Sequence, residues 1–573
     1  MRDSLRSFGA GVGLALVLVA PGCGGGGGTP ATTPVSLAPT PSVTPVTPVT
    51  PVTSVPVTPP ALPNQVTLSG QASYESVPGN QFTGALNYAA SVNKPARGIT
   101  VQAISAGAVL ASTAADDQGK FALNLPLNTS YFLRMRAEVV NAPGSASWAV
   151  SIKDNTAQDA LWVVDGTPAQ SGTANSTVSV TAGSGWNGSS YTPGARGAGP
   201  FAALDAVYTT FKYLLQTDPT LRLPPLSLFW SPNNTTALSP TEDYSSGEIG
   251  GTFFLESSRN GEVSRAIYLL GRQDDDTDEY DSALIAHEVG HYLQSAFSVD
   301  HSLGGSHSDP DKLDMTVAFS EGWATAWSSM ARASPLYLDS YGVGQASGFT
   351  FSVLDVPTDS ERGWYREDSV YSSLYAQFQA HGFAPIWQAL TGPLAKTQQA
   401  LATIFSFADA LRSAGNAPVN ASLNRILAAQ NIFTGSTADG FGQNETNSGA
   451  SAGNLPVYAR LTLNAVAPVC FINDNKTGKS VNKLGMVRYF RITLSAAQAG
   501  LRTVTANFAN GRDLDFEVFQ NRSIVASATA DSQGLTREST SVTLGAGEVI
   551  IRVSDFVTTH APVAPFCATI TIR

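Results

Sequence analysis

The spacing of apolar residues changes twice along this 573-residue chain. Over residues 65–165 and 455–573, short runs alternate apolar and polar residues between Gly, Asn, Asp and Pro, which is typical of β-strands. Over residues 166–454, apolar residues recur at helical spacing. A chain of this length is too long for a single hydrophobic core. The pattern therefore predicts a multidomain protein in which a mainly helical α+β domain is flanked by two all-β sandwich domains.

The N-terminus predicts export from a bacterial cell. Two arginines precede an apolar run over residues 10–20, which is too short to span a bilayer but has the length of a signal-peptide core. The following Ala20-Pro21-Gly22-Cys23 resembles a lipobox, in which the cysteine after the cleavage site carries a lipid. We expect residues 1–22 to be a lipoprotein signal peptide and Cys23 to anchor the protein to the outer membrane or cell surface. Ordinary secretion with an incidental cysteine is the alternative.

Residues 23–64 predict a stalk between the anchor and the folded part. Five glycines follow Cys23, and Thr/Pro/Val repeats continue from them. This composition cannot bury a core and favours an extended chain. The rest of the sequence has no run of roughly 18 apolar residues that would make a transmembrane helix. A lipid is therefore the expected membrane anchor.

The net charge limits the binding partners that are expected, and the cysteine content bears on the cellular compartment. The net charge of -11, with only 33 Lys and Arg, argues against a surface that neutralises phosphates, so no nucleic-acid partner is expected. Of the three cysteines, Cys23 lies at the cleavage point, which leaves Cys470 and Cys567 as a pair in one C-terminal segment. An exported protein permits that pair to form a disulfide.

A His-Glu-x-x-His motif, from His287 to His291, lies in a stretch with helical spacing. Residues four apart lie above one another on a helix, so both imidazoles can bind one metal ion. Glu288 is one step round the helix, where it can hydrogen-bond a water on the metal as a general base. With six histidines in the chain, the chance occurrence of this motif is on the order of 0.002, which favours a metal site over two core histidines. Gly290 adds to this, because glycine inside a helix costs about 1 kcal/mol and needs a reason such as close packing.

Glu321 is the best candidate for a third ligand. A catalytic Zn²⁺ takes three protein ligands, and two His with one Glu are an established set. Glu321 is the lone carboxylate of an apolar helical stretch over residues 317–327, where an unpartnered charge is costly to bury. Thr325, one turn further, can hydrogen-bond a ligand from behind. His301 and His307, between the two helical stretches, are alternative third ligands.

His287, Glu288 and His291, with Glu321 on a following helix, resemble the gluzincins, a family of zinc peptidases. The interval between His291 and Glu321 is longer than in the best-known branches of that family. The resemblance implies a zincin-like catalytic domain over residues 166–454, Zn²⁺ as cofactor, and peptide-bond hydrolysis in which Glu288 moves the proton. It also implies a Tyr or His that stabilises the oxyanion. The candidates for that residue are Tyr365, Tyr371, Tyr375 and His381.

The flanking segments carry resemblances of their own. Residues 114–121 are similar to a turn and strand of carboxypeptidase regulatory-like domains, which would make residues 65–165 an accessory sandwich. Residues 455–573 are similar to bacterial pre-peptidase C-terminal domains, in which Cys470 and Cys567 would tie the ends of the sandwich together. Both sandwiches are candidates for glycan or protein binding.

Two segments before the motif each allow two interpretations. Residues 247–254 are a candidate sheet edge for binding an extended peptide, or an internal strand. The acidic run over residues 274–279 offers oxygens to Ca²⁺ but lacks the spaced ligands of a known calcium loop. A solvated helix N-terminus is therefore the favoured interpretation of that run.

These features together predict an extracytoplasmic, lipid-anchored zinc metallopeptidase that acts on a peptide or protein substrate. The alternative is a surface adhesin or a glycan- or protein-binding lipoprotein whose zinc site is structural or vestigial. The intact Glu288 favours the peptidase, because a structural zinc site has no use for a base and closes with a fourth ligand.

Overall fold

The computed structural model describes residues 64–141, 146–239, 241, 243–259, 261–308, 310–355, 362–435, 439–472, 482–529, 535–557 and 565–573. The predicted signal peptide, Cys23 and the stalk up to residue 63 lie outside these residues. Strands make up 37% of the structure and helices 27%, so the protein is predominantly β. The predicted fold class, centred on a mainly helical domain, is wrong. Residues 166–277 contribute many strands, several of only two or three residues, which are too short to show a period in the sequence.

The N-terminal part forms two sheets that share one hydrophobic core, and three of its thirteen strands belong to a third sheet. Its strands are β1 (Gln65–Ser76), β2 (Val92–Pro95), β3 (Thr100–Ser105), β4 (Ala108–Ala114), β5 (Lys120–Pro126), β6 (Ser130–Arg136), β7 (Glu138–Asn141), β8 (Trp148–Asp154), β9 (Ala160–Leu161), β10 (Val163–Asp165), β11 (Ala169–Gln170), β12 (Ser176–Thr177) and β13 (Val180–Ala182). One sheet joins β1 to β2, β5, β12 and β13, and the other contains β3, β4, β6, β10 and β11. In β5, buried Phe121, Leu123 and Leu125 alternate with more exposed residues, as expected for a strand with one face on the core.

A third sheet joins strands from before and after residue 165. Helix α1 (Ala198–Thr217) precedes its later strands, which are β14 (Leu226–Trp230), β15 (Phe253–Arg259) and β16 (Glu262–Leu269). The order is β15-β16-β14-β8-β7, with β9 beside β8. Helix α1 covers this sheet, where Phe211 of α1 contacts Trp148 of β8 on one side and Tyr292 on the other. Among the described residues β15 pairs only with β16, so β15 is an edge strand.

The remaining helices and two small hairpins follow the third sheet along the chain. They are β17 (Gly271–Arg272), β18 (Asp276–Thr277), α2 (Ser282–Phe297), α3 (Met315–Arg332), β19 (Leu336–Tyr341), β20 (Ser347–Ser352), α4 (Glu367–His381), α5 (Ala384–Ala389), α6 (Ile404–Ala414) and α7 (Ala417–Ala429). Almost every residue of α2 and α3 is buried, so other elements enclose both helices. None of the described helices combines the length and the apolar character needed to cross a membrane.

The C-terminal part is a two-sheet sandwich. Its strands are β21 (Ala459–Arg460), β22 (Val466–Phe471), β23 (Val487–Leu494), β24 (Gly500–Asn507), β25 (Leu514–Gln520), β26 (Ser523–Ala528), β27 (Arg537–Leu544), β28 (Gly547–Asp555) and β29 (Phe566–Ile572). The sheet orders are β21-β23-β28-β25-β26 and β22-β29-β24-β27, with an apolar core of their buried residues. The predicted disulfide between Cys470 and Cys567 is confirmed, and it joins directly opposed residues of β22 and β29.

The loop between α2 and α3 is held by the C-terminal sandwich. The amide of Asn482 donates to the carbonyls of Gly304 and Ser306, at 2.9 and 3.1 Å. The ammonium of Lys483 lies 2.8 Å from the carboxylate of Asp311. Asp314, which caps α3 by accepting from the amide of Thr316 at 2.9 Å, also accepts from the hydroxyl of a tyrosine on β23. The sandwich therefore positions the start of α3.

Candidate metal centre

Helices α2 and α3 approach each other closely at Gly290. A Cβ atom at this position would lie 2.7 Å from the Cα atom of Ala324, so no larger residue fits without moving a helix. The indole of Trp323 also donates to the carbonyl of Gly290 at 2.9 Å. The glycine inside the motif therefore permits the helix contact that brings both sets of candidate ligands together.

The structure brings His287, His291 and Glu321 together. The two imidazole Nε2 atoms are 3.1 Å apart, and each lies 3.2 Å from Oε2 of Glu321. All three residues are at most 5% exposed. Four ligands at about 2.0 to 2.1 Å around a tetrahedral Zn²⁺ are about 3.3 Å from one another, so this triangle has the size that zinc requires.

Hydrogen bonds behind His287 fix its tautomer. Its Nδ1 lies 3.0 Å from the hydroxyl of Thr325, and that hydroxyl lies 3.0 Å from Oε1 of Glu367. A carboxylate only accepts, so Thr325 donates to Glu367 and accepts from Nδ1–H of His287. The lone pair of Nε2 is therefore directed at the triangle, which is the arrangement a metal ligand needs.

Hydrogen bonds also hold the ring of His291 in place. Its Nδ1 lies 3.3 Å from the hydroxyl of Ser320, which is also within 3.3 Å of Oε1 of Gln294 and 3.5 Å of the carboxylate of Asp300. With Ser320 donating to one of these oxygens, Nδ1–H of His291 donates to Ser320 and Nε2 carries the lone pair. Burial alone would lower the pKa of His291, but the carboxylate of Glu321 outweighs it and raises that pKa to about 9.

The donor set fits a metal ion. A metal ion would displace the proton that a pKa of about 9 places on His291, and two nitrogen lone pairs and one carboxylate oxygen would then face one point. Burial raises the pKa of Glu321, but the nearby His291 and His307 hold it well below its usual range, so the carboxylate stays ionised. Two imidazoles and a carboxylate suit Zn²⁺ and leave one tetrahedral position open.

Glu288 lies beside the triangle as a buried acid without a standard hydrogen bond to any described residue at either oxygen. Burial raises its pKa to about 8, although the approach of the Phe254 amide opposes this in part. A buried carboxyl with a pKa near neutrality can accept and return a proton at working pH.

His307 reaches the same site from the loop between α2 and α3. Its Nε2 lies 3.7 Å from Oε2 of Glu321 and 3.4 Å from Oε2 of Glu367. Burial would lower its pKa, but the two carboxylates raise it to about 9. Of the alternative third ligands, His307 is therefore close to the triangle but paired with acids.

His301, the other alternative ligand, faces away from this site. Its Nε2 lies 3.1 Å from the carbonyl of Arg522, and its Nδ1 accepts from the amide of Ala402 at 2.9 Å. Both ring nitrogens of His301 are therefore used in contacts between the loop, the segment before α6 and the C-terminal sandwich.

The side chains of the four candidates for oxyanion stabilisation form hydrogen bonds or pack against other rings. The hydroxyl of Tyr365 donates to the carbonyl of Arg362, and the ring of His381 lies 2.7 Å from the hydroxyl of Ser422. Tyr375 packs against Phe378, with ring centroids 5.5 Å apart. Tyr371 stacks on Phe351, which stacks in turn on Tyr337.

Besides Ser320, sequence reasoning missed two residues at the site, Tyr337 and Glu367. The ring of Tyr337 on β19 meets the ring of His287 edge to face, with centroids 6.3 Å apart. Burial, followed by the charges of Asp339, Glu288 and Glu367, raises its pKa well above the usual range. Both residues reach the site through chain reversals after α3, so no local pattern in the sequence indicates them.

The segment interpreted as either a sheet edge or an internal strand begins its strand later than expected. Residues 247–252 form a loop with isolated bridges at Glu248 and Ile249, and β15 starts only at Phe253. Because the Phe254 amide approaches Glu288, the start of this edge strand lies next to the triangle.

The chain has little similarity to known proteins. No family model and no curated protein matches it. Among solved structures, the pre-peptidase C-terminal domain of a Bacillus anthracis collagenase matches with 8% identity and a TM-score of 0.16, over 20% of this chain and 94% of that domain. A periplasmic inhibitor of g-type lysozyme from Aeromonas hydrophila matches with 11% identity and a TM-score of 0.14, over 20% of this chain and 96% of the inhibitor. A 9R-lipoxygenase from Cyanothece matches with 8% identity and a TM-score of 0.16, over 61% of this chain and 66% of the enzyme.

Proposed function

We propose that this protein is a zinc-dependent peptidase of gluzincin type, exported and anchored through a lipid on Cys23. One observation carries the proposal. The Nε2 atoms of His287 and His291 and Oε2 of Glu321 form a buried triangle with sides of 3.1 to 3.2 Å, and the buried acid Glu288 lies beside it. A purely structural zinc site would close with a fourth ligand and has no use for a buried acid beside it.

Zn²⁺ bound by this triangle would act as a Lewis acid on the scissile carbonyl and would lower the pKa of a water molecule. Glu288 accepts the proton of the attacking water and returns it to the leaving amine. Its burial supports this role, because a pKa near neutrality suits an acid that must both take and give a proton. Thr325, Ser320 and Glu367 hold the two imidazoles in the orientation that the ligands need.

Edge strand β15 supports a peptide as substrate. An extended peptide can add to an exposed sheet edge through main-chain hydrogen bonds, which select for a polypeptide without selecting its sequence. Residues Phe253 and Phe254 at the start of β15 are buried, whereas Ser257, Ser258 and Arg259 at its end are exposed. A peptide paired along β15 would pass Glu288, because the amide of Phe254 approaches that carboxyl.

The test compares the full-length protein with its Glu288→Gln variant. Zinc per chain is measured by mass spectrometry, and hydrolysis is measured on casein and on a broad peptide library. We expect one zinc in both proteins, with hydrolysis by the wild type falling at least about 100-fold in the variant. Glu262→Gln, an exposed change of the same chemistry on β16, should leave both readouts unchanged.

Two results would contradict the proposal. Absence of zinc from the wild type after zinc is supplied would remove the metal site itself. Zinc retained without hydrolysis of any peptide would favour the adhesin or binding protein with a structural or vestigial zinc site.

A further inference from the structure

The end of the acidic run before α2 is buried, which contradicts its interpretation as a solvated helix N-terminus, although Asp274 at its start is exposed. Asp278 is 1% exposed and Asp281 is 3% exposed, and Asp276 is partly buried. Asp339 of β19 joins them and is 5% exposed. We call these four residues the aspartate cluster. Four buried carboxyls in one place require neutralisation, because an isolated buried charge is very costly.

No positively charged side chain among the described residues forms an ion pair with the aspartate cluster. The neighbouring acid Glu279 shows the contrast, since it pairs with the buried guanidinium of Arg196 and accepts from the indole of Trp230. A similar pairing is absent from the described surroundings of Asp276, Asp278, Asp281 and Asp339.

Hydrogen bonds account for only part of the cluster. Asp281 accepts from both the amide and the hydroxyl of Ser340, at 3.2 and 2.7 Å, and Asp278 accepts from the hydroxyl of Thr252. One oxygen each of Asp276, Asp278 and Asp339 is fully buried and accepts no hydrogen bond from a donor group of the described residues, and Asp276 and Asp278 can bond to each other only by sharing a proton. Native proteins seldom leave buried polar atoms unpaired, so three such oxygens in one cluster indicate a missing ligand.

The geometry identifies the chemistry of that ligand. Carboxylate oxygens of Asp276, Asp278 and Asp339 all lie within 4.8 Å of one another. Ca²⁺ takes carboxylate oxygens in a flexible geometry, whereas Mg²⁺ demands near-ideal octahedral angles and usually keeps several of its waters. A site made only of oxygen also discriminates against Zn²⁺, which prefers nitrogen and sulfur.

We propose that the aspartate cluster binds one Ca²⁺ ion, at a site separate from the zinc triangle. Carboxylate oxygens of Asp276, Asp278 and Asp339 supply the protein ligands. Without the ion, burial and mutual repulsion raise the pKa of Asp276 to about 12 and burial raises that of Asp278 to about 7, so protons would have to replace it. A proton neutralises one carboxyl, whereas one Ca²⁺ satisfies several oxygens at once.

The cluster links elements on both sides of the zinc triangle. Asp281 is the residue immediately before α2, and His287 follows it by six residues, which is about 9 Å along the helix axis. Asp339 lies two residues after Tyr337, whose ring contacts that of His287. A cation held by Asp276, Asp278 and Asp339 would therefore fix β18 and the start of α2 against β19. The calcium site itself does not depend on the proposed peptidase activity.

The test titrates Ca²⁺ into the full-length protein after removal of all metals. Calorimetry gives the number of ions bound, and thermal unfolding with and without Ca²⁺ gives the shift in Tm. We expect one ion bound at the aspartate cluster and a rise in Tm of roughly 5 °C or more at saturation. The variant Asp278→Asn with Asp339→Asn should lose that ion and its Tm shift. Without Ca²⁺ it should melt no lower than metal-free wild type, because two buried carboxyls that need neutralisation are gone.

Two control variants separate this site from others. Asp515→Asn with Glu538→Gln changes a second acidic group, in the C-terminal sandwich, and should keep the Tm shift. Glu321→Gln changes a proposed zinc ligand and should keep the calcium ion, so failure of the peptidase proposal would leave this one standing. If the double variant does not fold, Asp276→Asn at the less buried position should still weaken Ca²⁺ binding at least about 10-fold. Absence of calcium binding by the wild type, or an undiminished Tm shift in the cluster variants, would overturn the proposal.

Discussion

His301 should make the protein sensitive to acid, and the effect can be worked from its contacts. Its Nδ1 accepts from the Ala402 amide at 2.9 Å, and its Nε2–H donates to the Arg522 carbonyl at 3.1 Å. The ring also lies edge to face with that of Phe519. A proton added at Nδ1 would face the N–H of Ala402, so the folded state holds His301 neutral. Burial is the main cause that lowers the pKa of His301 from 6.5 to about 4.

The sign of the effect follows from the depressed pKa. Above about pH 6.5, His301 is neutral in both the folded and the unfolded chain and adds no proton-linked term. As the pH falls from 6.5 toward 4, His301 binds a proton in the unfolded chain but not in the folded protein. The free energy of unfolding therefore decreases. At about pH 4.5 the loss amounts to about 2.5 kcal/mol.

The perturbation is His301→Ala. Near pH 8 it should lower the free energy of unfolding by about 4 kcal/mol, since it leaves a buried amide and a buried carbonyl unpaired and removes a packed ring. Near pH 4.5 the same substitution should cost only about 1.5 kcal/mol, because the variant no longer suffers the proton-linked loss. Urea unfolding followed by tryptophan fluorescence measures both values.

A control separates titration from packing. Val518→Ala, in the core of the same sandwich, removes buried apolar atoms but no titrating group, so its cost should be equal at the two pH values. If the cost of His301→Ala is also equal near pH 8 and near pH 4.5, the assigned neutral tautomer is wrong.

Three other predictions concern the helix contact, the disulfide and the ligand support. Gly290→Ala should lower stability by about 1 to 3 kcal/mol and reduce zinc retention, because its Cβ would clash with α3, whereas Gly392→Ala, with open space around it, should do neither. Replacing Cys470 and Cys567 by Ser should cost about 2 to 5 kcal/mol in urea unfolding, and an unchanged midpoint would contradict it. Thr325→Val should weaken zinc binding about 10- to 100-fold in chelator competition, and the Ser variant should restore it.

The candidate site was predictable where its residues are close in sequence. The four-residue spacing of His287 and His291 places both on one face of α2, which helix geometry alone ensures. Glu321 could be found because a lone carboxylate in an apolar helix needs a partner. Tyr337 and Glu367 could not be found, since their approach depends on how β19 and α4 return to the site.

The fold was harder to predict from the sequence than the candidate site was. The acidic run was predicted to be solvated because charge near a helix start is usually exposed, and only the position of Asp339, more than 50 residues later, shows that the end of the run is enclosed. The balance between strand and helix was misjudged for a related reason. Strands such as β11 and β12 have two residues each, so their identity comes from pairing with distant strands and not from their own sequence.

The third sheet determines where this protein can be truncated or fused to another. Strand β8, before residue 165, lies between β7 and β14 and is parallel to β14 at Leu226–Phe229. A fragment that begins at residue 166 would lack β8 and would leave the backbone of β14 with a bare row of donors and acceptors. Such an edge recruits other chains, so we expect that fragment to aggregate. The N-terminal part therefore cannot be separated from the later strands of the third sheet. Gene fusions or truncations should cut before residue 65.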